Sequence, residues 1–78
     1  MDYSEIVKDI ITQTLQIERN VVTDELSIND IPEWDSVGNL NIIQSIEEEL
    51  EVEIPIENLF ELTNVKLFVE EVNKLKND

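Results

Sequence analysis

The chain contains no histidine and no cysteine. The first absence removes the commonest general base and metal ligand. The second removes disulfides, thiolate metal sites and a thiol nucleophile. Basic residues are scarce as well. Five Lys and Arg stand against 19 Asp and Glu, a net charge of −14. From Asn20 through Val65 there is no Lys or Arg, while twelve acids fall in that stretch. Such a surface repels nucleic acid and anionic membrane, and it associates quickly with basic protein patches. No apolar run is long enough to span a bilayer, and Met1-Asp2-Tyr3 does not open a basic-then-apolar leader. The expectation is a cytoplasmic protein with neither membrane insertion nor a nucleic-acid partner.

What is present is a small amount of regularly spaced apolar sequence. Seventy-eight residues make one domain, 1–78, expected to be a monomer. A chain this short buries only about 60% of its unfolded surface, which leaves little room for a deep enzyme pocket. The acidity alone would suit a disordered chain. Against that, 41% of the residues are hydrophobic and they recur with a period.

Tyr3, Ile6, Val7, Ile10, Ile11 and Leu15 recur at helical spacing and predict a first helix near 3–17, opened by an Asp2/Glu5 capping box. Residues 18–35 lose the period and collect turn formers: Asn20, Asp24, Asn29, Asp30 and Pro32. Val21, Val22, Leu26, Ile28, Ile31 and Trp34 are apolar within this stretch. A long loop in a compact domain either packs down or is functional. These residues predict that it lies across the bundle, with Trp34 as its anchor. A second helix begins at Asp35 or Ser36 and ends near Glu51, with Val37, Leu40, Ile43, Ile46, Glu47 and Leu50 on one stripe. Pro55 excludes helix at Ile54 and suits the first residue of a short helix through Glu61, with Ile56, Leu59, Phe60 and Leu62 inward. Thr63 or Asn64 caps a last helix whose stripe is Val65, Phe68, Val69, Val72 and Leu75, with Lys74 and Lys76 at its C-terminal dipole. The fold expected is all-α: a small four-helix bundle with a long first loop and a short third helix. Leu40, Ile43, Ile46, Ile54, Leu59 and Phe68 are read as core.

The chemistry concentrates at Ser36, in Trp34-Asp35-Ser36-Val37-Gly38-Asn39-Leu40. A hydrolase using this serine would need a nearby base, and no His, Lys or Cys is in position. A serine at a helix start without catalytic partners is either a plain N-cap or a residue to be modified.

Its context decides between them. The chain resembles the acyl carrier protein family over its whole length, most sharply from Asp35 to Pro55. The family's Asp-Ser-Leu signature stands as Asp35-Ser36-Val37. The end of its second helix stands as Ile46-Glu47-Glu48-Glu49-Leu50, and its closing stretch as Glu53-Ile54-Pro55. The resemblance implies a non-catalytic carrier. Ser36 would bear a covalent 4'-phosphopantetheine arm, added from coenzyme A by a phosphopantetheinyl transferase, and Asp35 would present the serine. The arm's thiol would hold acyl groups as thioesters, which accounts for a working sulfur in a chain without cysteine. A helix N-terminus also suits the phosphodiester.

Further partners implied are an acyl- or aminoacyl-loading ligase and an acyltransferase or synthase with basic docking patches. Val37, Gln44, Glu47, Glu48 and Glu51 would form the docking surface. A charge run is usually just a solvated face. The departures from the family pattern are Gly38, Asn39 and Asn41, neutral where acids are usual, and Gln44, polar where an apolar contact is frequent. Gly38 costs up to about 1 kcal/mol in a helical turn, which points to a close approach by a partner or the arm. The string Trp-Asp-Ser-Val-Gly-Asn-Leu-Asn is similar to stand-alone carriers of surface-polysaccharide or other specialised pathways. A dedicated aminoacyl or hydroxyacyl carrier is the alternative within this chemistry. An acidic helical interaction module without a prosthetic group is the alternative outside it.

Overall fold

A computed structural model describes residues 2–77. Met1, the first residue of the stretch read above for a leader, and Asp78 lie outside them. Three α-helices carry the fold: α1 (Ser4–Leu15), α2 (Ser36–Leu50) and α3 (Val65–Lys76). Two 3-10 segments, Arg19–Val21 and Ile56–Glu61, complete it. The four-helix architecture is therefore present, and its short third member is of 3-10 type. Pro55 stands as the residue before that segment rather than its first. Among the described residues no helix is long and apolar enough to cross a membrane.

Val7, Ile10, Ile11 and Leu15 of α1 meet Ile42, Ile43 and Ile46 of α2 and Val65, Phe68 and Val72 of α3. Trp34 and Phe68 lie at the centre, both fully buried, with ring centroids 6.3 Å apart. A tilted aromatic pair at this distance adds to what burial alone supplies. Helix ends are closed by side chains and by backbone. Asp35 caps α2 through Gly38 N–H at 2.8 Å, and Asn64 caps α3 through Leu67 N–H at 2.8 Å. Gln16 and Glu51 terminate α1 and α2 in the left-handed region, φ 56° and 54°. The capping box expected for α1 does not form. Asp2 accepts from Ser4 N–H, and Glu5 is drawn away to Arg19.

The loop between α1 and α2 packs down as its apolar content predicts. Val22, Leu26 and Trp34 are buried, and Ile28 and Ile31 are half-buried. It is also hydrogen-bonded to the start of α3: Ile28 N–H reaches Thr63 O at 2.8 Å, and Val65 N–H reaches Leu26 O at 3.0 Å. Salt bridges Lys8–Asp24, Arg19–Glu5 and Arg19–Asp9 use the cations of the first quarter of the chain on acids of α1 and this loop. Among the described residues none involves an acid of α2 or of the segment Ile56–Glu61.

The stripe of α2 differs from the expected one. Its inward residues are Gly38, Asn39, Ile42, Ile43 and Ile46. Leu40, read above as core, is 60% exposed, and Val37 is 65% exposed. The phase is set at the N-terminus. With Asp35 as cap, the loop backbone closes over the small residue Gly38, and Trp34 reaches Asn39. Two non-hydrophobic residues thus occupy the inward face where the pattern predicts apolar ones. In the 3-10 segment three residues make a turn, so Leu59 and Leu62 face inward together. Phe60 turns out, contrary to the expected inward face. Ile56 is also exposed at the start of the segment, and the three-residue turn does not account for it.

Candidate functional site at the head of α2

Ser36 is the first residue of α2, directly after the Asp35 cap. It is exposed, whereas Ser4, Ser27 and Ser45 are each half-buried. Ser45 accepts from Thr14 between α1 and α2, and Ser27 hydroxyl turns back to Glu25 O. The first backbone N–H groups of a helix lack intrahelical acceptors. At α2 the Asp35 carboxylate takes Gly38 N–H, and the N–H groups of Ser36 and Val37 come before it. The partial positive charge at this end suits an anionic group on the Ser36 oxygen.

The turn that carries Ser36 is held from three sides. Asp35 O accepts from Asn39 N–H at 2.8 Å. The Asn39 carboxamide is buried: it accepts the Trp34 indole N–H at 2.9 Å and donates to Leu62 O at 3.1 Å. Gly38 lies against the loop. A Cβ there would stand 2.7 Å from Glu33 O and 3.2 Å from a Leu15 methyl. Real Cβ atoms do not approach backbone oxygen that closely, so the glycine is explained inside the molecule. The expected approach by a partner or arm is not what requires it. Gly38 and Asn39 are both buried, so they do not make the docking face neutral. Of the four departures only Asn41 and Gln44 are exposed.

Beside Ser36 runs an apolar groove of about 260 Å³, lined by Ile28, Ser36, Asn39, Leu40, Ile43, Leu59, Phe60 and Thr63. It separates α2 from the segment Ile56–Glu61. An anionic group on Ser36 with an organic tail therefore finds a charged end and an apolar wall within one site. Among the described residues no cluster of acids could hold a metal ion.

A model of the family described as the phosphopantetheine attachment site matches residues 5–72. The chain belongs to this family. It is a phosphopantetheine carrier, and its cofactor is a covalently attached 4'-phosphopantetheine. Among solved structures it is similar to the holo acyl carrier protein from Geobacter metallireducens, with TM-score 0.86 and 30% identity over 99% of this chain and 88% of that one. The all-α fold expected from the sequence is thus the acyl carrier protein fold.

The five residues read from the sequence as a docking surface do not form one class. Val37, Gln44, Glu48 and Glu51 are exposed. Glu47 is half-buried, and its carboxylate accepts from Ile54 N–H at 2.9 Å, joining the end of α2 to the chain that follows. Its role is internal. Gln44 lies 3.5 Å from the Glu48 carboxylate, at the outer limit of a hydrogen bond. Sequence reasoning missed three residues here. Asn39 and Ile42 were hidden by the misplaced stripe, and Phe60 by the apolar face expected of a short helix where the segment is 3-10.

Proposed function

We propose that Ser36 is the attachment residue of this carrier and that Asp35 presents it. The observation that carries this reading is the coincidence of an exposed serine, a capped helix N-terminus and an apolar groove at one place in a chain of the phosphopantetheine attachment family. Asp35 fixes the first turn through Gly38 N–H. The Ser36 hydroxyl thereby stands at the end of a 15-residue helix, where an anion is favoured. When bound, the group supplies a terminal thiol that holds acyl groups as thioesters. This chain contributes position and electrostatics, with no catalytic side chain.

The partners that suit this reading are a phosphopantetheinyl transferase, an acyl-loading ligase, and an acyltransferase or synthase with a basic docking patch. Glu48 of α2 and Glu51 at its C-cap, both exposed and in no salt bridge among the described residues, support the last feature. A monomeric, cytoplasmic carrier of a specialised pathway is the form in which we place it. Exposed Asn41 and Gln44, neutral on the front of α2, support specialisation, since an enzyme selective for an acidic, partly apolar front finds a mismatch there. The reading is tested by incubating the protein with coenzyme A and a broad-specificity transferase, mapping the modified peptide, and identifying the thioester formed in the producing cell. An arm mapped to another residue, or none at all, would overturn it.

A further inference from the structure

Phe60 is 89% exposed, the most exposed of the large hydrophobic residues among those described. A single surface phenylalanine needs no explanation, but this one is not isolated. It lines the groove that also holds Ser36 and Leu40. Leu40 is itself 60% exposed, and Val37, three residues before it on the same helix face, is 65% exposed. The apolar surface therefore begins at the modified residue and crosses to the segment Ile56–Glu61. That segment has no fully buried residue of its own. Its backbone geometry, with Leu59 inward, is what turns Phe60 outward. Exposed acids Asp35, Glu57 and Glu61 stand next to this surface in the chain, and no Lys or Arg occurs from Asn20 to Val65.

We infer that Phe60, with Leu40, is the anchor by which the transferase that attaches the arm docks on this carrier, filling an apolar socket set in a basic rim. The inference rests on the carrier reading of Ser36. Three arguments select this occupant. An enzyme whose reacting atoms reach the Ser36 oxygen has to cover the groove in which that serine stands, and Phe60 lies in the same groove. An apolar anchor with exposed acids as its neighbours in the chain matches a hydrophobic pocket edged by cations, the arrangement in which one aromatic side chain carries much of the binding. A second copy of this chain is disfavoured on the same grounds, because it would bring two strongly acidic faces together. In the transfer itself the Ser36 oxygen bonds to the outer phosphorus of the coenzyme A pyrophosphate, and the pyrophosphate bridge breaks. Adenosine bisphosphate leaves with the electron pair, and the hydroxyl proton passes to a base of the transferase. Phe60 takes no part in those bonds, so its contribution is to binding.

The test uses the apo protein, coenzyme A and a broad-specificity phosphopantetheinyl transferase, with intact mass as the rate readout. Phe60→Ser is expected to raise KM by about tenfold or more with kcat little changed, the scale of burying one aromatic side chain. Phe60→Leu is expected to give a KM between those of the parent and Phe60→Ser, and Phe60→Lys a KM above both. Because Phe60 is exposed, the thermal midpoints of these variants should match the parent. Ile56→Ser provides the comparison, since Ile56 is 76% exposed in the same segment but does not line the Ser36 groove. It should leave KM within about twofold. A Phe60→Ser variant modified as well as the parent overturns the docking role and leaves the carrier reading intact. An equal loss in Ile56→Ser overturns it too, by assigning the effect to the segment and not the groove. A concentration-dependent dimer abolished by Phe60→Ser would show that a second copy is the occupant. Failure of the parent itself to accept an arm would instead remove the carrier reading.

Discussion

The Asn39 carboxamide accepts the Trp34 indole N–H at 2.9 Å and, through its amide, donates to Leu62 O at 3.1 Å. One buried side chain thereby joins the end of the long loop, the first turn of α2 and the approach to α3. Low local polarity strengthens such a network when every member is paired, and makes it costly when one is removed. Asn39→Ala leaves the indole N–H and the Leu62 carbonyl unpaired inside the protein. The expected cost is about 2 kcal/mol or more. For a domain of this size that is a fall of roughly 8 °C or more in the melting temperature. Denaturant unfolding measures the first quantity and calorimetry the second. A loss below about 0.5 kcal/mol would show that water replaces the amide at no cost.

Gly38→Ala separates two opposing effects. Helix propensity favours alanine by about 1 kcal/mol. The close approach of Glu33 O, 2.7 Å from the new Cβ, opposes it, because backbone on both sides has little freedom to yield. The steric term is expected to win, with a net destabilisation of about 1–2 kcal/mol. The same shift displaces Asp35 and slows modification of Ser36. A stabilised, normally modified alanine variant would return the explanation of this glycine to a partner or the arm.

These two residues also show how far the sequence could be read. Helix positions, the Asp35 and Asn64 caps and the packing of the loop through Val22, Leu26 and Trp34 were legible, because period and capping chemistry are local signals. The place of Ser36 at the head of α2 was legible from its setting. The face of α2 was not. Hydrophobic period assigns Leu40 inward, but Gly38 and Asn39 are inward for reasons of closeness and hydrogen bonding that hydropathy does not register. Phe60 was misassigned because a 3-10 segment rotates its residues by a different angle from an α-helix.

Docking is expected to depend on charge as well as on the apolar groove. Glu48 is exposed on α2 and has no cation beside it among the described residues. Glu48→Lys is expected to slow association with the transferase several-fold, and added salt is expected to slow the native pair in the same direction. Stopped-flow association rates at two ionic strengths measure both. Rates indifferent to the reversal and to salt would remove the electrostatic part of the account.

Pathway specialisation now rests on two exposed positions. A Gly38→Asp substitution would collide with Glu33 O, and Asn39 is engaged in the core. The informative variant is therefore Asn41→Glu with Gln44→Met. The loaded parent is expected to be a weak substrate of housekeeping fatty-acid elongation enzymes, and the double variant a better one by about tenfold. Elongation on the parent at the rate of a housekeeping carrier would show that Asn41 and Gln44 carry no pathway information.

The most direct measurement is the intact mass of the parent and of Ser36→Ala after incubation with coenzyme A and a phosphopantetheinyl transferase. The parent is expected to gain a single arm, and the alanine variant none, while keeping its helical content because Ser36 is exposed and Asp35 remains the cap. A folded Ser36→Ala variant that still gains a full equivalent of the arm would contradict the assignment of Ser36 as the attachment site.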